Sequence, residues 1–337
     1  MCREGRRLFP VIAFYAGLSL LGGQQEPRFS AAVQVVNVLA TVRDEQGGIV
    51  RDLTRNDFIL EEEGRPQIIR YFTQQTDLPL TIGLLVDTSV SQWRVLPQER
   101  SASRRFLQQV LRGTNDSAFV IRFDRDVELL EDATSSRKAL EAGLAQLERG
   151  RPRSSPRTWP SGTLLCDALV FASQERMRKH SGRKALIVLT DGVDVGSKAS
   201  LAQAIEAAQR ADTLVYSIRF YDDVGVGVPG SPYSRNRDFR VTLPERYLAE
   251  GKDAVQQISG RTGGGYFEAS SKLPLEDVFA RIEEEIRSQY NLGYTSDRPQ
   301  GVGEFRKLRL VTRRMGLVVQ ARDGYYAVSR PGDWPVP

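Results

Sequence analysis

Histidine is almost absent. One imidazole, His180, stands among 337 residues. Multi-histidine zinc sites are thereby excluded, and a Ser–His–Asp triad would hang on a single ring. His180 follows Arg176, Arg178 and Lys179 and precedes Ser181-Gly182. That is the end of a helix, where the carbonyl dipole favours positive charge, so the ring needs no catalytic role. Cysteine is nearly as scarce, with two residues in the chain. Cys2 lies in an N-terminal stretch read below as a removable leader, which leaves Cys166 unpaired and no internal disulfide expected. A nucleophilic thiol wants a histidine nearby. Cys166 instead sits in the apolar run 164–171 and reads as a small core residue. Strong charge asymmetry is missing too: 47 basic and 42 acidic residues give a formal +5. No basic aromatic cluster accompanies it, so nucleic acid is not an expected partner. The apolar run at 8–21, about 14 residues, is shorter than the roughly 20 that a spanning helix needs.

Hydrophobic residues make up 40% of the chain, ample for a core, and the length suggests two domains. Residues 1–23 read as a secretory signal: Arg3, Arg6 and Arg7, then the apolar run, then Gly22-Gly23. No cysteine follows to take a lipid anchor; an uncleaved N-terminal anchor is the alternative. The expected location is therefore secreted, periplasmic or cell-envelope, with no stable membrane span after cleavage. Residues 24–79 are β-rich, 80–288 alternate strand and helix, 289–330 are β-rich again, and 331–337 form a tail.

The middle region predicts a doubly wound α/β sheet. Strands are expected at 80–86, 185–189, 214–220 and 266–268, and a hairpin at 118–130 turns on Asp124-Arg125-Asp126. Helices are expected at 96–111, from a Ser135 cap to 147, and at 164–179, 201–211, 254–258 and 275–286. Two of the buried strands end on an aspartate. Leu84-Leu85-Val86 runs into Asp87, followed by hydroxyls at Ser89 and Ser91; Ile187-Val188-Leu189-Thr190 runs into Asp191-Gly192. Between them, a Pro-, Ser- and Arg-rich loop ending in Ser161-Gly162 delivers a further hydroxyl, Thr163. In a doubly wound sheet ligands bind beyond the carboxyl ends of the strands. Carboxylates and hydroxyls converging there are hard donors, suited to Mg²⁺ or Ca²⁺ rather than zinc.

With these pieces in order, the chain resembles the von Willebrand factor A (vWA) domain family. Its metal-ion-dependent adhesion site carries D-x-S-x-S, a distant Thr and a later T-D-G, matched here by Asp87, Ser89, Ser91, Thr163 and Asp191. The resemblance covers roughly residues 80–287. The flanks are similar to secreted bacterial vWA-related proteins, through Asp57-Phe58-Ile59-Leu60 with Gly64-Arg65-Pro66-Gln67 and through Tyr290-Asn291-Leu292-Gly293-Tyr294. The resemblance implies that the two serines coordinate Mg²⁺ directly, with Mn²⁺ or Ca²⁺ able to replace it. The threonine and aspartates would act directly or through water. A carboxylate from a protein partner presenting Asp or Glu would complete the octahedron, and a shift of the last helix would tune affinity. The expected function is a non-enzymatic, metal-dependent protein-binding or adhesion module. The alternative is a scaffold protein of the cell envelope with a vestigial or purely stabilising metal site. Partner identity and oligomeric state are not encoded legibly.

Two enzymatic readings compete less well. Leu85-Val86-Asp87-Thr88-Ser89 imitates an aspartic peptidase motif, but that chemistry needs a second like aspartate, and Thr190-Asp191-Gly192 does not repeat the pattern. A phosphotransferase using Asp87 as nucleophile would want an aspartate where Ser89 stands. The two β-rich flanks offer three or four short strands each, too few to bury two sheet faces. Together they reach the strand number of a small sandwich, with the α/β region inserted between its halves.

Overall fold

In a computed structural model the described residues are 35–74, 78–92, 95–113, 115–147, 162–220, 245–298 and 303–327. The chain divides into Met1–Val33, outside the described residues, and one compact unit, Gln34–Pro337. The expected leader, the loop 221–243, most of the loop 150–162 (including Ser161) and the tail also lie outside the described residues. No helix among the described residues is long and apolar enough to cross a membrane.

In chain order the strands are β1 Val36–Arg43, β2 Phe58–Glu62, β3 Arg65–Gln67, β4 Ile69–Thr73, β5 Leu80–Asp87, β6 Ser117–Phe123 and β7 Val127–Thr134. They continue with β8 Arg183–Thr190, β9 Leu214–Phe220, β10 Tyr266–Ala269, β11 Tyr290–Tyr294, β12 Phe305–Thr312, β13 Val318–Ala321 and β14 Gly324–Tyr326. The helices are α1 Leu96–Val110, α2 Arg137–Leu144, α3 Leu165–Phe171, α4 Leu201–Arg210, α5 Glu245–Thr262 and α6 Leu275–Arg287.

The central sheet has the order β10-β9-β8-β5-β6-β7. All its pairings are parallel except β6 with β7, the expected hairpin. Every residue of β5, β8 and β9 is buried. Strands buried along their whole length, with apolar stretches such as 84–86 and 185–189 at their centres, belong to a sheet covered by helices on both faces. Two apolar clusters form those faces. One packs α1, α2 and α6 through Phe106, Leu140, Phe279 and Ile282; the other packs α3, α4 and α5 through Leu169, Ile205 and Ile258. Gly83 sits mid-strand where a Cβ would come within 2.3 Å of Phe119 and 2.5 Å of Leu186. Its bareness lets those two larger side chains from the neighbouring strands close over β5. The chain goes from β5 to β6 on one side and later to β8 on the other, so the strand order reverses at β5. This is the doubly wound arrangement expected, and its switch point lies between the ends of β5 and β8.

Three local expectations are corrected. The cap of α2 is Ser136, whose Oγ accepts from the Ala139 amide at 3.3 Å, and not Ser135. The helix expected over 164–179 is regular only to Phe171. A π-turn at Ala172–Arg176 and a 3₁₀ turn at Met177–Lys179 follow, and Met177 is fully buried. The extra residue per π-turn breaks the 3.6-residue spacing that the sequence pattern assumes. Helix α5 runs from Glu245 rather than starting near 254, because its first turns are largely exposed and carry no apolar stripe.

The flanks interleave into two four-stranded antiparallel sheets, β13-β1-β11-β4 and β14-β12-β2-β3. Strand β1 lies between β11 (Val38 opposite Leu292) and β13 (Val42 opposite Val319), while β2 pairs with β12 (Leu60 opposite Leu310). Val38, Phe58, Leu60, Tyr290, Leu292, Leu310 and Tyr325 share one core between the sheets. Helix α6 leads through Ser288 and Gln289 straight into β11. Its last turns are tied to the sandwich: Glu285 pairs with Arg43 and accepts from Gln320, and Glu284 pairs with Arg51 at 2.7 Å.

Candidate metal site

Strand β5 ends at Asp87 because the chain turns there. The buried Oδ1 accepts the Ser89 amide at 2.9 Å, an Asx turn that directs the chain toward α1. The other oxygen, Oδ2, accepts the Thr190 hydroxyl at 2.7 Å across the switch point. That hydroxyl in turn accepts the Gly192 amide at 3.0 Å. Gly192 has φ +88°, and a Cβ there would stand 2.3 Å from the Gly251 carbonyl of α5. The glycine of Thr-Asp-Gly thus serves both the turn and the close approach of a helix.

Asp191 uses Oδ1 to accept the Val193 amide at 3.0 Å, and its Oδ2 accepts from Ser91 Oγ at 2.7 Å. Ser91 Oγ lies 3.0 Å from Ser89 Oγ. Four of the five sequence-predicted residues, Asp87, Ser89, Ser91 and Asp191, are therefore joined by one run of hydrogen bonds at the carboxyl ends of β5 and β8. Thr163 is held by its backbone, which exchanges two hydrogen bonds with Val195 (2.9 and 3.0 Å) in the loop after β8. The next residue, Leu164, donates to the Asp124 carbonyl at 2.9 Å, and Asp124 follows the strand that pairs with Asp87. Asp124 itself organises the hairpin turn, accepting from the amides of Arg125 and Asp126 and from Thr88 Oγ1. The sequence reading of Asp124 and Asp126 as turn residues agrees with this.

Sequence reasoning missed two neighbours. Thr190 was legible only as the residue before Asp191, yet it joins the two strand ends. Glu99, on α1, is fully buried, and neither carboxylate oxygen has a hydrogen-bond partner. A signal for it did exist. Glu99 falls on the buried stripe formed by Leu96, Ala102, Ser103, Phe106 and Val110, where an acidic residue is out of place.

The electrostatics follow from the burial. Desolvation, then the charge of Asp191, pushes the Asp87 carboxyl up to about 7, although Ser89 and Thr190 oppose the rise. Burial, then the charges of Asp87 and Asp191, pushes Glu99 well above the usual range. Two close-set hydroxyls, those of Ser89 and Ser91, with the carboxylates of Asp87 and Asp191 make a donor set that fits a hard divalent cation. Among the described residues no three His, Cys, Asp or Glu side chains gather tightly enough to hold a metal by themselves, so any ion here depends on the hydroxyls.

No protein-family model matches the chain, and no curated protein matches it. Solved structures do. The conserved hypothetical protein BatB from Bacteroides thetaiotaomicron is 21% identical with a TM-score of 0.47, over 61% of this chain and 97% of that one. An aerotolerance-related membrane protein from Bacteroides fragilis is 20% identical with a TM-score of 0.45, over 61% and 98%. Proximal thread matrix protein 1 from the mussel byssus, with a zinc-occupied MIDAS motif, is 13% identical with a TM-score of 0.45, over 68% and 50%. At these identities and TM-scores the likenesses add nothing to what the strand order already establishes about this chain.

Proposed function

We propose that this chain is a vWA-type, non-enzymatic binding module that uses a divalent ion to capture an acidic group of a protein partner. The observation that carries the reading is the hydrogen-bonded set Asp87, Ser89, Ser91 and Asp191 at the switch point of the sheet. Mg²⁺ keeps part of its hydration shell and takes few protein anions, so an ion held largely by hydroxyls stays electrophilic toward an incoming carboxylate. Asp87, Ser89, Ser91, Thr163 and Asp191 are the residues that would hold it. Calorimetry should detect one Mg²⁺ or Mn²⁺ per chain, and Asp87→Ala should abolish that binding while far-ultraviolet circular dichroism stays unchanged. Undiminished affinity in the variant removes Asp87 from the site. Addition of an acidic peptide should tighten Mn²⁺ binding, since partner and ion share one coordination sphere.

One observation favours the alternative scaffold reading. Each carboxylate of the site accepts a hydroxyl of the protein itself, Asp191 from Ser91 and Asp87 from Thr190. A thermal midpoint indifferent to Mg²⁺ would decide for it. We also propose export, from the arginines and short apolar run at the start of the chain. N-terminal sequencing of the exported protein should begin near residues 24–29, and recovery of the full-length chain in the cytoplasm alone would contradict this.

A further inference from the structure

We propose that Glu99 is a further residue of the cation site, a positioning residue that would hold, through water, an ion bound by Asp87, Ser89, Ser91 and Asp191. The inference rests on the metal-binding reading above and extends it to a residue outside the five motif positions. Glu99 is 0% exposed, and both its oxygens lack a hydrogen-bond partner. Buried carboxyl groups are almost always paired, because desolvation without a partner is costly. The charges that act on Glu99 are those of Asp87 and Asp191, both negative. One turn further along the same face of α1, Ser103 is also fully buried with an unpartnered hydroxyl. A purely structural stripe at this point would be served better by leucine or methionine.

The placement explains the carboxylate. Helix α1 begins four residues after Gln92, itself hydrogen-bonded by its amide to the Ser89 carbonyl at 2.9 Å. The turn carrying both serines therefore feeds directly into the helix carrying Glu99. Glu99 does not join Asp87 and Asp191 in a cluster tight enough to ligate a metal directly. Its acceptor oxygens suit the water ligands of a hard ion, which donate hydrogen bonds and which Mg²⁺ gives up reluctantly. Residues that orient a metal's ligands in this way typically change affinity by ten- to a hundredfold when removed.

Mn²⁺ binding to the exported chain tests this, measured by calorimetry for wild type, Glu99→Gln and Glu99→Met, with the thermal midpoint of each metal-free protein. Wild type should bind, Glu99→Gln should weaken Mn²⁺ about tenfold, and Glu99→Met should weaken it at least as much. The metal-free midpoints of both variants should equal or exceed that of wild type, since a buried unpaired carboxyl is gone. A Glu99→Gln affinity within threefold of wild type overturns the proposal, whatever the midpoints do. If Glu99→Met fails to fold, the isosteric Glu99→Gln decides alone. Absence of Mn²⁺ binding by wild type overturns the ion reading and this inference with it, a result distinct from binding that ignores Glu99.

Discussion

Metal-free protein will lose stability as the pH rises from about 4 to about 8, and Mg²⁺ will restore it at the upper end. Asp87 carries the effect. Its carboxyl is pushed from 3.8 to about 7 by burial and by the charge of Asp191, so the folded protein binds a proton that the unfolded chain has released. The stabilisation is therefore full below about 4, falls across the interval, and is lost once the pH passes about 7. At about 1.4 kcal/mol per pH unit of displacement the loss is about 4 kcal/mol. Glu99 is displaced in the same direction and adds to it. Asp116 works oppositely. Burial raises its carboxyl, but Arg287 and the amides of Arg112 and Leu80 more than offset that, so its contribution disappears only below the usual carboxylate range. The metal-free optimum should thus lie near pH 4–5. An ion that binds only the folded state adds about 2.7 kcal/mol at a hundredfold excess over its Kd. Urea denaturation at pH 5 and pH 8, with EDTA or with Mg²⁺, checks this. A metal-free stability that is flat from pH 5 to 8 would mean that Asp87 is ionised throughout and its burial compensated in another way.

Breaking the buried ion pair of the sandwich should cost about as much. Glu62 and Arg306 face each other at 3.0 Å with side chains 0% and 2% exposed. Glu62 also accepts from Tyr294 at 2.6 Å, Ser296 at 2.7 Å and Tyr325 at 3.2 Å. One acid from the first flank thus gathers four donors from the second. Glu62→Ala removes the carboxylate that faces the buried Arg306 guanidinium and accepts from two tyrosines and a serine, and should destabilise by about 3–5 kcal/mol. The double variant Glu62→Leu, Arg306→Met should lose clearly less than either single change, because no uncompensated charge remains. Amide exchange localises the damage. In Glu62→Ala, protection should fall on β12 and β11 together, while β5 and β8 keep theirs. A cost below about 1 kcal/mol would mean that water reaches the pair.

The two results bear on one molecule because the sandwich and the sheet are physically joined. Glu285, near the end of α6, is buried against Arg43 of β1 and Gln320 of β13. The helix whose displacement the family resemblance associates with ligand affinity is here held by both sheet-forming flanks. Any shift of α6 must move or break those contacts.

The sequence by itself determined the strands that build the site and the point where each ends. The apolar residues of β5 and β8 are long enough to be buried on both faces, and an aspartate cannot continue such a run, so Asp87 and Asp191 fall at the strand ends wherever the strands are placed. Asp87, Ser89 and Ser91 are close in the chain, and local turn chemistry brings them together. Local signals also reached most helix limits, and failed where the period changed at Ala172–Arg176 or where exposure erased it in α5. Only the tertiary structure decided which flank strand pairs with which, since β1 meets β11 some 250 residues later through backbone groups common to every residue. It alone decided that Thr190 of β8 bonds to Asp87 of β5, and that Glu62 finds its four donors. The same holds for Glu99: its carboxylate is ordinary on an isolated helix, and becomes buried and unpartnered only when α1 is laid against the sheet. Desolvation depends on what surrounds a group in space, and the order of residues along the chain records that only indirectly.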